Sequence, residues 1–75
     1  MIPVAVENKI KAMINGNVTY TSQNLGFNLL MSRLTRKYKS DPNPLVMAAC
    51  MGEVKEFFEK YSVLMQREYD AMTHA

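Results

Sequence analysis

Tryptophan is absent from this 75-residue chain, and cysteine and histidine each occur once, as Cys50 and His74. A single cysteine excludes an internal disulfide. One cysteine and one histidine about 24 residues apart match no zinc-ligand spacing, so a structural metal is not expected either. Glycine is scarce too: Gly16, Gly26 and Gly52 stand far apart, whereas a phosphate-cradling loop needs several together. No apolar run approaches the roughly 18 residues of a membrane span, and no signal-like stretch follows Met1. With the lone thiol, these absences lead us to expect a cytoplasmic, non-membrane protein, in which Asn17-Val18-Thr19 matches a glycosylation sequon by chance.

Catalytic patterns are missing as well. No nucleophile stands with a base, and no paired carboxylates suggest a general acid and base. Cys50 falls within an apolar stripe, where a small buried hydrophobe is the ordinary reading. Glu53, Glu56 and Glu59 fan around the polar side of a helix, which solvates it. His74 is expected in a frayed tail. We therefore expect no enzyme activity, no cofactor and no small-molecule substrate.

A chain this short buries only roughly 60% of its unfolded surface. Proteins below about 80 residues compensate with disulfides, metals, oligomerisation or very regular helix packing, and the first two are excluded here. Residues 1–75 make one domain, without repeats or long linkers. The net charge of +2 hides a division: residues 1–40 carry six basic side chains against one acidic, and residues 41–75 carry three basic against six acidic. Such a split either steers a partner or pairs one half of the chain with the other.

Helical periodicity runs through most of the sequence. Pro3 suits a first turn, Val6, Ile10, Met13 and Ile14 recur on one face, and Gly16 suits a left-handed C-terminal residue, predicting a helix over 3–15. A hairpin through Asn15-Gly16 is the alternative, since Val18-Thr19-Tyr20-Thr21 is β-prone. Thr21 or Ser22 can cap a second helix, whose core face holds Phe27, Leu30, Met31, Leu34 and Tyr38. Leu25 and Leu29 project from its other side among Arg33 and Arg36, a second apolar patch ringed by positive charge. Asp41-Pro42-Asn43-Pro44 ends that helix and starts a third, with Asn43 as cap and Pro44 as first helical residue.

The third segment can run to about Met72. Its apolar stripe spans roughly 140° on a helical wheel from Val46 to Met72, with Glu68 as the one charge inside it. A helix from Pro44 to Met72 would be about 43 Å long, against roughly 30 Å for the diameter of a compact domain of this size. Such a helix overhangs its own domain, unless Gly52 breaks it. The expected fold is thus all-α, a three-helix arrangement of two shorter helices and one long C-terminal amphipathic helix, in a homo-oligomer.

Two function classes follow. The first is a non-enzymatic protein that self-associates or docks on a protein partner through Phe57, Phe58, Tyr61, Leu64, Met65 and Met72 of the third helix. Methionine suits such adaptable surfaces as well as core filling. The second is a DNA- or RNA-binding regulator with a helix-turn-helix-like N-terminal half. Gln23 and Asn24 would reach base edges, and Arg33, Arg36, Lys37 and Lys39 would meet phosphates. Against it stand a long connection from Asn15 to Thr21, Leu29 on the DNA-facing side and a modest net charge.

Overall fold

The computed structural model describes residues 2–74, which form four α-helices: α1 Val4–Ile14, α2 Leu25–Ser40, α3 Pro44–Lys60 and α4 Ser62–His74. No strand occurs among the described residues, so the Asn15-Gly16 hairpin is not formed. Instead, Gly16 takes φ +80° and closes α1: Asn17 N–H donates to the Ala12 carbonyl and Gly16 N–H to the Met13 carbonyl. These two hydrogen bonds satisfy carbonyls that a helix end otherwise leaves open.

α2 starts later than its sequence suggests. Neither Thr21 nor Ser22 caps it; the Asn24 side chain does, accepting from Phe27 N–H at 3.0 Å. Asn43 caps α3 as its type and position dictate, accepting from Leu45 N–H and Val46 N–H ahead of the Pro44 first turn.

The long third helix does not exist as one element. It runs straight through Gly52, and the chain leaves helical geometry at Tyr61, with φ −118° and ψ 42°. Tyr61, Ser62 and Val63 form a run of low helix propensity, which makes a break cheap there. The break lets α4 fold back onto α1, and Met65 and Met72 become fully buried. Each such side chain contributes about 1.5–3 kcal/mol by leaving water. The molecule measures 31 × 23 × 23 Å, shorter than an unbroken helix would be. The three-helix arrangement is accordingly corrected to four helices, and no overhang remains.

One apolar cluster draws on all four helices: Val6, Ile10 and Ile14 of α1, Phe27 and Leu34 of α2, Cys50, Val54 and Phe58 of α3, and Met65 and Met72 of α4. Aromatic rings tie the helices together at its centre. Phe27 meets Phe58 edge-on at 5.8 Å between centroids, and Phe58 stacks on Tyr69 at 5.6 Å. No helix is long and apolar enough to cross a membrane among the described residues.

Candidate functional site

The six residues expected to form an association face separate into two groups. Phe58, Met65 and Met72 are buried in the core, and Phe57 packs half-buried against Phe27. Phe58, Met65 and Met72 are not available to a partner, and for the two methionines this follows from the break at Tyr61, which turns their stripe inward. Tyr61 and Leu64 stay exposed, at the turn and on the first part of α4.

Leu64 faces an open cleft whose other side reaches the start of α2. Leu64 shares this cleft, of about 710 Å³, with Leu25, and Thr21, Gln23, Arg67 and Glu68 line the rest of it. Leu29 lies one turn beyond Leu25 on the same face of α2. Leu25 and Leu29 are 75% and 73% exposed, and Leu64 is 51% exposed. Three leucines thus reach solvent in a small protein whose other large apolar side chains mostly fill the core. Leu45, Val63 and Val4 are also exposed but line no part of this cleft.

The ground under this patch is tightly fixed. Glu68, the one charge of the α4 stripe, is buried, and both Tyr20 Oη–H and Ser22 Oγ–H donate to its carboxylate, the latter at 2.7 Å. Burial, and then the Glu68 hydrogen bond, push the Tyr20 phenol up to about 12. Ser22 also exchanges two hydrogen bonds with the Asn28 side chain, at 2.9 and 2.8 Å, while its hydroxyl accepts from Asn24 N–H. Residues 20–24 are therefore laced to α4 on one side and to α2 on the other. Gly26 completes the fit: a Cβ there would meet Asn24 Oδ1 at 3.2 Å and the Phe57 ring at 3.6 Å. Sequence reasoning singled out Glu68 as an oddity but did not find its partners, which lie 46 and 48 positions away.

The residues proposed for nucleic acid are arranged less favourably. Asn24 is occupied as the α2 cap, and only Gln23 is exposed beside it. Arg33 and Lys37 both reach Glu53 on α3, at 2.6 and 3.4 Å, and these cations hold the Glu53 carboxyl below its ordinary range, the Arg33 hydrogen bond foremost. The two halves of the divided charge are thus partly paired across α2 and α3. Arg36 and Lys39 are exposed.

Cys50 is fully buried, its thiol 3.9 Å from the Leu34 carbonyl, and burial pushes it up from the ordinary thiol range. That environment opposes a reactive thiolate. No cluster of three His, Cys, Asp or Glu side chains placed to hold a metal occurs among the described residues. His74 ends α4, and its side chain lies outside the described residues.

No family model, curated protein or solved structure matches this chain.

Proposed function

We propose that this chain is a non-enzymatic protein-interaction domain whose docking surface is the outer face of α2 together with the start of α4. The observation that carries the reading is the exposure of Leu25 and Leu64 in one cleft, with exposed Leu29 one turn beyond Leu25 on α2. Leucines held in water on a rigid frame contribute nothing to the core, and covering them with a partner releases about 25 cal/mol for each Å² of apolar area removed from water. The frame of Tyr20, Ser22, Asn28 and Glu68 lowers the ordering cost of binding, because the surface is already in place.

This reading keeps the function class expected from sequence and moves its surface. Self-association through the C-terminal helix loses its basis with Phe58, Met65 and Met72 buried. Nucleic-acid binding loses support from the capping role of Asn24 and from the two cations held by Glu53.

The test is a selection of helix-forming peptides from a random displayed library against the full chain. Selected peptides are expected to lose affinity at least about tenfold for the Leu25→Ser, Leu29→Ser double variant, whose circular dichroism should match that of the parent. Peptides that bind parent and variant equally would place the docking surface elsewhere.

A further inference from the structure

We infer that the partner received by this surface is an acidic amphipathic helix, an assignment that rests on the α2–α4 patch being the docking surface. Charge and shape point to it together. α2 carries Arg33, Arg36, Lys37 and Lys39 and no acidic residue at all. At about 100° per residue, Leu25, Leu29, Ser32, Arg33 and Arg36 fall in one arc of roughly 100°. The apolar anchors occupy the N-terminal part of that stripe and the cations its C-terminal part, with Arg36 about 10 Å beyond Leu29 at 1.5 Å per residue. Across the cleft, Arg67 follows Leu64 one turn along α4. The nearest acids do not offset this. Glu68 is buried under its two hydroxyl donors, and Glu53 is shared by Arg33 and Lys37, two cations on one carboxylate.

A straight helical edge with leucines one turn apart accepts a second helix by ridge-into-groove packing. The complementary partner carries apolar residues three or four apart, seated over Leu25, Leu29 and Leu64, with Asp or Glu beside Arg67 and about three turns further on, facing Arg36. Other occupants fit less well. A second copy would present this same face of α2, which has no carboxylate to offer Arg36 in return. An anionic lipid surface would meet a cleft where a protruding apolar ridge is needed, and a nucleic acid would leave the central leucines against phosphate.

Two synthetic peptides test this, each about 18 residues long and of matched helicity, with the same leucine spacing and either glutamate or lysine at the flanking positions. They are titrated into the isotopically labelled full chain and followed by nuclear magnetic resonance. The glutamate peptide should shift the methyl resonances of Leu25, Leu29 and Leu64 and bind at least about tenfold tighter than the lysine peptide, the preference shrinking as salt rises. Arg36→Gln with Arg67→Gln should erase most of that preference. Equal binding of both peptides at the leucines would overturn the acidic partner and leave the docking surface standing. Absence of shifts at the leucines with either peptide would overturn both. Concentration-dependent shifts of these methyls in the free protein would assign the surface to a second copy. Stronger shifts with phosphatidylserine vesicles than with the glutamate peptide would assign it to lipid. Either of those two results overturns the acidic helix.

Discussion

Tyr20 donates its phenolic hydrogen to Glu68 across 48 positions of sequence, fastening the connection between α1 and α2 to the last helix. Breaking this bond should cost about 1.5–3 kcal/mol, the usual worth of a hydrogen bond to a charged group. Tyr20→Phe, Glu68→Gln and the double variant, compared by urea denaturation, are expected to show coupling of the same sign. Purely additive losses would mean that the two groups do not act on each other.

The same bond gives an alkaline signature. The Tyr20 phenol is raised from its ordinary 10 to about 12. Folding therefore favours the neutral phenol, a contribution fully present below pH 10 and lost as pH rises from 10 through 12. Two units correspond to about 2–3 kcal/mol. The parent should lose roughly that much more stability than Tyr20→Phe between pH 9.5 and 12, by denaturation at fixed salt. Parallel curves for the two proteins would contradict the assignment.

Met72 marks where sequence and structure part. An overhanging Met72 would tolerate glutamate with its fold intact, whereas the buried Met72 cannot. Met72→Ala should cost about 2–5 kcal/mol, and Met72→Glu should unfold most of so small a protein. Leu45→Ser, at an exposed position, should stay within about 0.5 kcal/mol. Melting temperatures of the three variants separate the outcomes, and a stable Met72→Glu would restore the overhang.

Much of the architecture was legible because local rules and core packing agreed. Val6, Ile10, Met13 and Ile14 repeat at helical spacing and are all buried, and Asn43-Pro44 is both a good cap and a good first turn. The break at Tyr61 was not legible. No glycine or proline marks it, and Met65, Glu68 and Met72 continue the stripe of α3 in phase, so a helical wheel shows one long face where the chain makes two. The α2 cap was misplaced because Ser22 is tied into the connection, donating to Glu68 and accepting from Asn24 N–H, and the helix begins after Asn24, which caps it. Of the proposed surface, Leu25 and Leu29 were visible as a basic-ringed patch, whereas the cleft that Leu25 shares with Leu64 depends on α4 folding back.

The two glycines with open space where a Cβ would sit, Gly16 and Gly52, should respond in opposite directions to alanine. Gly52 lies inside α3 with nothing within 4 Å of where a Cβ would sit, so Gly52→Ala should stabilise by about 1 kcal/mol. Gly16 has equal space but φ +80°, and Gly16→Ala should destabilise by about 1 kcal/mol or more. Chemical denaturation of both variants checks the pair, and a stabilising Gly16→Ala would contradict the left-handed turn.

The most direct measurement compares two pairs of exposed apolar residues that differ only in where they lie. Leu25, at 75% exposed, lines the cleft and Leu29, at 73%, follows it one turn along α2, whereas Leu45 and Val63, at 82% and 79%, lie outside this stretch of surface. Each pair is changed to serine, and affinity for a library-selected helical peptide is read by fluorescence anisotropy. The expected result is a loss of at least about tenfold for Leu25→Ser with Leu29→Ser, and less than about twofold for Leu45→Ser with Val63→Ser. Equal losses in the two pairs, or a loss confined to the second, would contradict a docking surface on α2 and α4.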